Sequence, residues 1–337
     1  MPAPAPDLSR RHFVTAAIAG LPLLGGDSSH ARESPDMPAP LTFRQPFVYK
    51  FNIGSIEAWS ISDCDLAFRE GLDLMHPESE RPAMRQEMIR HGESLDSIPL
   101  YVNLLVIKSD SEIALFDAGF GQVKNPRMGW LREGLATIGI APEKVTATFL
   151  SHAHADHLNG FVKDGHPAFP NAALHLLPEE LAFWRTPQPD FSKSKRDAAK
   201  IPGMIREVRG HFHALAANLQ PVKDGTELLG GRIRIESAPG HTAGHACFRL
   251  KSEGQELLHL MDLAHHHLLM FAKPEWNIAF DHDPELAILS RKRYWAEAAA
   301  RHTRCYGFHL PWPGLGHIIQ PAADQYAWWA ERWQWPV

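Results

Sequence analysis

Ser151-His152-Ala153-His154-Ala155-Asp156-His157-Leu158-Asn159-Gly160 follows directly on the apolar run Thr146-Ala147-Thr148-Phe149-Leu150 and places three imidazoles and one carboxylate within six positions. The apolar run predicts a strand, and the string behind it predicts a metal site at the strand's end. In an extended chain alternate side chains share a face, so His152 and His154 converge on one ion. Once the chain turns, Asp156 and His157 point toward a second. Neutral imidazole and carboxylate are the borderline ligands taken by zinc and similar divalent metals. The chain holds 21 histidines in 337 residues, enough for a spaced pair to arise in a loop without a site, so the reading depends on matching ligands downstream.

Those ligands follow in order. Pro239-Gly240-His241-Thr242-Ala243-Gly244-His245 comes after the strand-like Arg232-Ile233-Arg234-Ile235-Glu236, Leu257-Leu258-His259-Leu260-Met261 runs into Asp262, and Cys305-Tyr306-Gly307-Phe308 runs into His309. From about residue 47 onward this ordered set resembles the metallo-β-lactamase superfamily, whose pattern is HxHxDH, then a single His, a bridging Asp and a last His. The resemblance implies an α/β fold, an αββα sandwich with metals at the seam between two sheets, built from strand-rich halves at about 47–175 and 219–309. By position it assigns His152, His154 and His241 to one metal and Asp156, His157 and His309 to the other, with Asp262 bridging them. It implies two divalent ions, zinc first, with manganese, cobalt or iron admitted by the same ligands. Two such ions share a hydroxide and polarise an acyl or phosphoryl oxygen, the pKa of the water falling to roughly 7. Asp262 and Asp156 are then the candidate catalytic residues, Asp156 as a group that receives or relays a proton.

Within the superfamily, β-lactamases proper generally lack the bridging Asp, and the flavin-linked diiron members carry Glu at the position of His154 together with an added flavodoxin domain. Phe308-His309-Leu310-Pro311-Trp312-Pro313-Gly314-Leu315-Gly316-His317 resembles the HLxFPGxGH signature of methyl parathion hydrolase and the quorum-quenching lactonases near it, with Trp312 where Phe is usual. Ala168-Phe169-Pro170-Asn171-Ala172 and Phe183-Trp184 resemble segments of the same group. The likeness implies a substrate pocket walled by Leu66, Phe68, Phe120 and Trp184. Such a pocket suits an uncharged, partly hydrophobic substrate: a lactone of the acyl-homoserine lactone kind, an ester or a phosphotriester. Aromatic side chains are more often core, so a packing role for Phe68, Phe120 and Trp184 stands beside the pocket role. Ser62-Asp63-Cys64-Asp65-Leu66 departs from the SDGT-like turn of that group, and the charged segment 190–218, a candidate lid, has no counterpart in it. Two rival readings are a thioesterase of the glyoxalase II kind, which expects a cytosolic glutathione substrate and a basic thiol-binding tail, and an exported metal-binding or sensing module without turnover. The latter has no use for a bridging carboxylate.

Asp7-Leu8-Ser9-Arg10-Arg11-His12-Phe13-Val14, followed by a modest apolar segment from Ala16 to Leu24, reads as a twin-arginine leader ending near Ala31, with a Pro-rich arm over 32–46 and one hydrolase domain over 47–337. Export to the periplasm or outside the cell is the expectation. The apolar segment is too short and too interrupted to span a bilayer, and no other stretch reaches its length. Removing 1–31 leaves the net charge at -5, and no basic stripe or arm suggests nucleic acid. Cys64, Cys247 and Cys305 cannot all pair, and they read as core residues with room for one disulfide.

Elsewhere, alternation predicts a hairpin over 47–63, and a further pair of strands is expected at 100–109 and 112–116. Asp117-Ala118-Gly119 resembles the superfamily's DTG-type turn and equally reads as an ordinary Asx turn. Helical spacing is expected at 82–91, 128–138, 178–185 and 284–301, the last with Leu286, Ile288, Leu289, Tyr294 and Trp295 on its apolar side. His245 and His317 are expected to orient ligands, whereas His265-His266-His267 has two readings, one of the three facing the substrate or, the favoured one, a solvated loop. The Trp-rich tail, with Trp328, Trp329, Trp333 and Trp335, predicts packing or a contact in a homodimer.

Overall fold

Apolar alternation in Val48–Ile53 (β1) and Ile56–Ser62 (β2) produces the expected antiparallel hairpin, with Val48 opposite Ile61 and Ile53 opposite Ile56. Gly54 makes the turn at φ 56°, and a Cβ there would stand 2.4 Å from the Ser252 carbonyl oxygen, so both conformation and space select glycine. This computed structural model describes residues 48–323 and 325–334; the expected leader, the Pro-rich arm and Trp335 lie outside the described residues.

The first sheet continues through Asn103–Ser109 (β3), Glu112–Phe116 (β4), Ala147–Phe149 (β5), Ala173–Leu176 (β6) and Leu219–Pro221 (β7), and its seven strands lie in chain order. Pairing is antiparallel as far as β4 and parallel from β4 to β7. The second sheet, also in chain order, comprises Glu227–Leu228 (β8), Ile233–Ser237 (β9), Ala246–Ser252 (β10), Gln255–Met261 (β11), Arg304–Gly307 (β12), Leu315–Ala322 (β13) and Gln325–Ala330 (β14). Its one parallel pair, β11 with β12, is joined by a helical crossover.

Phe116 and Phe149 of the first sheet meet Phe248 of the second at ring-centroid distances of 5.1 and 5.6 Å, so the buried faces form one core. Burial of each such ring is worth about 1.5–3 kcal/mol. The helices are Arg81–Arg90 (α1), Leu131–Thr137 (α2), Ala155–Leu158 (α3), Pro178–Arg185 (α4), Ile201–Ala214 (α5), Leu269–Ala272 (α6) and Pro284–Arg301 (α7). Leu131 and Leu135 of α2 and Val208 and Phe212 of α5 join the first core. Tyr294, Trp295 and Ala298 of α7 cover Cys247, Leu258 and Cys305 in a second cluster, with Phe271 stacked on Trp295 at 4.2 Å. These layers are the expected αββα sandwich. Because parallel neighbours end on the same side, Asp117 and the 151–157 turn leave the sheet next to each other, as do Asp262 and His309.

One expectation changes. Tyr294 and Trp295 of α7 are buried as expected, but Leu286 and Leu289 are 38% and 64% exposed, and the inward face is completed by Ala287, Ser290, Arg291, Ala298 and Ala299. Arg291 can lie inward because its Nε donates to the Leu263 carbonyl (2.6 Å) and its Nη1 to that of Pro274 (2.7 Å). All three cysteines are free and buried, with no disulfide among them. The tail forms edge strand β14, where Trp328 packs toward Phe271 while Trp329 is 64% exposed.

Candidate metal centre

The centre starts behind the histidines. Asp117, at φ 55° after β4, accepts from the Ser151 backbone N–H (2.8 Å), from Ser151 Oγ (2.6 Å) and from His157 Nδ1 (2.6 Å). Burial raises the pKa of its carboxyl, and His157 and Ser151 offset this. Of the two readings of Asp117, the structure therefore realises the one in which it holds the turn from behind. His152 Nδ1 lies 2.9 Å from Ser151 Oγ, so a single seryl hydroxyl connects two of the motif's rings to one aspartate.

With their Nδ1 sides held, the rings aim their other nitrogens into one space. His154 Nδ1 lies 2.8 Å from His152 Nε2 and 2.9 Å from His241 Nε2, and Asp262 Oδ2 lies 3.6 Å from His152 Nε2 and 3.2 Å from His241 Nε2. Beside this group, Asp156 Oδ2 lies 3.7 Å from His157 Nε2 and 3.5 Å from His309 Nε2. Asp262 touches the second group as well, with Oδ1 3.2 Å from His157 Nε2 and Oδ2 3.2 Å from His309 Nε2. The seven residues named from the sequence thus converge, and Asp262 stands between the two sets.

This constellation fits divalent cations. His157 Nε2 and Asp262 Oδ1, though 3.2 Å apart, are buried and make no aligned hydrogen bond with each other or with another protein atom, and buried polar atoms so left are rare unless something else satisfies them. Three imidazole nitrogens within hydrogen-bonding distance of one another cannot all be satisfied by the protons they share. Burial pushes His152 and His154 well below the ordinary imidazole pKa, toward the neutral form that ligates metal. Burial also opposes charge on Asp262 and on His157, but their mutual attraction outweighs it, holding Asp262 well below and His157 well above its usual range. The cluster is suited to a dinuclear metal centre.

Outer contacts fix the remaining rings. His241 Nδ1 donates to Asp281 Oδ1 (2.8 Å), which lies near the Arg291 guanidinium, and His309 Nδ1 donates to the Tyr101 carbonyl (2.6 Å). His245 donates through Nδ1 to the Ala238 carbonyl (2.9 Å) and accepts the Asp262 N–H at Nε2 (3.1 Å), which is the orienting role expected of it. His317 lies in β13 opposite Arg304 and Trp329 and makes no contact with the cluster. Glu180 ties the two ligand loops together. Its Oε1 accepts from the Ala153 N–H and Trp184 Nε1 (both 2.8 Å), and its Oε2 from Thr242 Oγ1 (2.6 Å) and the Gly244 N–H (3.0 Å).

The centre lies at the base of a cavity of about 330 Å³ walled by Leu66, Phe68, Phe120, Met204, Ile278 and Phe280. Leu66, Phe68 and Phe120 are placed as expected. Trp184 is not: it is 1% exposed, packed in the core and bonded to Glu180, because the face of α4 that carries it turns inward beneath the ligand loops. The 190–218 segment contributes Arg196 and Met204 to the cavity, its helix covering only 201–214. The triple histidine departs from the favoured solvated loop. His265 Nε2 lies 3.2 Å from Asp262 Oδ2, and buried His266 accepts the Leu268 and Leu269 N–H groups at Nδ1, so two of the three border the cavity.

A model of the metallo-beta-lactamase superfamily matches residues 97–294, more than half of the chain. The chain belongs to this superfamily. Among solved structures, it is similar to AidC, a dizinc quorum-quenching lactonase in complex with a product N-hexanoyl-L-homoserine, with 27% identity, a TM-score of 0.82, and coverage of 86% of this chain and 99% of that one. A hydrolase of the β-lactamase superfamily, AbOPH, shares the fold at 23% identity and a TM-score of 0.79, with the same coverage. A quorum-quenching N-acyl homoserine lactone lactonase shares it at 18% identity and a TM-score of 0.54, covering 78% of this chain and 95% of that one. A comparison with curated proteins finds no match. As a superfamily member, the protein carries in Glu180, Asp281, Arg196 and His265 site-supporting groups that the ligand motif does not contain. Glu180 was hidden as the second of two acidic residues in a helix's first turn, a position such residues favour without any site.

Proposed function

We propose that the protein is a dinuclear metal-dependent hydrolase that opens lactones or esters of the acyl-homoserine lactone type, with phosphotriesters as a secondary substrate class. The observation that carries this reading is Asp262 set between two ligand groups, His152, His154 and His241 on one side and Asp156, His157 and His309 on the other, at the base of an apolar cavity. Divalent ions held by these groups, zinc first, would supply Lewis acidity and a water of lowered pKa.

The chain's own residues do the rest. Leu66, Phe68 and Phe120 exclude bulk water and hold the apolar part of the substrate. Asp156 borders the cavity with its carboxylate partly open, placed to take a proton at its carboxylate oxygen and return it to the leaving alkoxide. Asp117, Asp281 and Glu180 keep the rings in place, so little reorganisation accompanies the reaction. The likeness to a dizinc lactonase supports lactones over thioesters. Export by the twin-arginine route, proposed from Arg10 and Arg11, agrees with a substrate met outside the cytoplasm.

The test is hydrolysis by metal-analysed protein of N-decanoyl-homoserine lactone, a p-nitrophenyl ester, methyl parathion and S-lactoylglutathione. A dominant rate on the lactone supports the reading. A dominant rate on the phosphotriester reverses the order of substrates, turnover of the thioester alone overturns the substrate class, and a protein with two metals bound that turns over none is a binding module.

A further inference from the structure

The cavity wall contains one cation whose protein contacts do not account for it. Arg196 comes from the irregular strap before α5, which is held down where Lys193 Nζ donates to Asp283 Oδ2 (2.6 Å) and Ser194 Oγ to the Asp281 carbonyl (3.2 Å). Its guanidinium lies 4.8 Å over the Phe280 ring and its Nη2 is 2.7 Å from His154 Nε2. Among the described residues no carboxylate oxygen lies within ion-pair distance of it. A guanidinium carries five N–H donors, and among the described residues His154 Nε2 is the one protein acceptor they meet, on a side chain that lines the cavity.

The remaining contact is also provisional. His154 offers Nδ1 to the group formed with His152, His241 and Asp262, and a ring that ligates through Nδ1 keeps its proton on Nε2. A protonated Nε2 is a donor and cannot accept from Arg196. In the ligating state two donors face each other across that contact, and the guanidinium must turn toward an acceptor in the cavity. Asp156 and Asp262 border the same space and disfavour an anionic group there, whereas a neutral carbonyl oxygen suits both signs of charge.

We propose that Arg196 is a specificity-determining residue that donates to a second carbonyl oxygen of the substrate, the amide of an N-acyl lactone, and so fixes the distance between the acyl chain and the scissile bond. The proposal rests on the lactonase reading above. Arg196 Nη2 stands 2.7 Å beyond Nε2, across the His154 ring from the nitrogen that faces the metal group, so the two carbonyl sites are separated by an imidazole ring and a hydrogen bond. Leu66 and Phe68 line the same cavity, and Phe280 lies beneath the guanidinium, giving apolar surface for the chain.

The experiment measures, by calorimetry on metal-loaded protein, the binding of two non-hydrolysable γ-lactams of equal chain length, one carrying the N-acyl amide and one an alkyl chain without it. Turnover of the corresponding lactones is measured in parallel. A charge-assisted hydrogen bond predicts that the natural protein prefers the amide-bearing lactam by about 10- to 100-fold. In Arg196→Met this ratio collapses to within about threefold with metal content retained, and Arg196→Lys restores part of it. An equal loss on both lactams, or loss of metal, would show that Arg196 acts only through His154 and overturn the proposal. So would an unchanged ratio. Turnover of both lactones without amide preference removes this inference and leaves the lactonase reading standing, whereas turnover of neither removes both.

Discussion

Glu180→Gln tests whether one carboxylate holds the two ligand loops together. In the native arrangement each oxygen accepts two hydrogen bonds, Oε1 from the Ala153 N–H and Trp184 Nε1, and Oε2 from Thr242 Oγ1 and the Gly244 N–H. Glutamine has one acceptor oxygen and one NH₂ donor. If the NH₂ replaces Oε1, it confronts two N–H groups that cannot reverse. If it replaces Oε2, the Thr242 hydroxyl can turn to accept, and only the Gly244 N–H is orphaned. The second orientation is cheaper, so one bond to a charged group is lost and the others weaken to neutral strength. This predicts a destabilisation of about 2.5–6 kcal/mol, from roughly 1.5–3 kcal/mol for the charge-assisted bond plus roughly 1–3 kcal/mol for the unsatisfied buried donor. The loop cannot back away freely, since a Cβ on Gly244 would already lie 2.1 Å from the Glu180 nitrogen. Ala153 and Gly244 flank His152, His154 and His241, so metal affinity falls at least about tenfold. The assay is urea unfolding of the metal-stripped protein, with metal competition against a chromophoric chelator. A loss of stability below about 1 kcal/mol with unchanged affinity would refute the account.

Trp184→Ala is expected to cost about 3–5 kcal/mol of stability, whereas Phe68→Ala raises KM with a much smaller loss, and thermal melts alongside kinetics separate the two. Burial lowers the pKa of His266 to about 3, below the ordinary value of about 6.5, so between these pH values the unfolded chain binds the extra proton and stability falls as pH drops. His266→Asn keeps an acceptor for the Leu268 and Leu269 N–H groups without titrating. The acid limb of stability against pH should then be shallower by up to about 1.4 kcal/mol per pH unit, as denaturant titrations at pH 4 to 6 would show, and an unchanged slope contradicts the assignment. Chelation of the metals should abolish turnover and lower Tm, with a stabilisation of about 2.7 kcal/mol restored at free metal 100 times the Kd, and a Tm indifferent to metal would argue against the centre.

The ligand set was legible because its chemistry is local. His152, His154, Asp156 and His157 lie in one turn, and His241, Asp262 and His309 each stand just after an apolar run, so strand order alone brings them to one rim. The sheets were legible for a similar reason, since alternation marks the first hairpin and short apolar runs mark the buried strands. The burial of α7 was legible at Tyr294 and Trp295 but not at its N-terminal half, because Arg291 lies inward on carbonyl partners that come from 263 and 274 while Leu286 and Leu289 face out.

The sequence by itself determined the metal-binding chemistry, the αββα layers and the apolar character of Leu66, Phe68 and Phe120. Tertiary structure decided which polar and aromatic side chains serve the site. Trp184 went to the core, His265 and His266 to the cavity, Glu180 to the junction of two loops, and Arg196 to the wall beside His154. These assignments depend on partners far apart in the chain, 64 residues for Glu180 and Gly244 and 42 for Arg196 and His154. A lone Glu, Arg or Trp has no spacing pattern from which such a partner can be read, whereas folding selects the partner by satisfying each buried donor and acceptor.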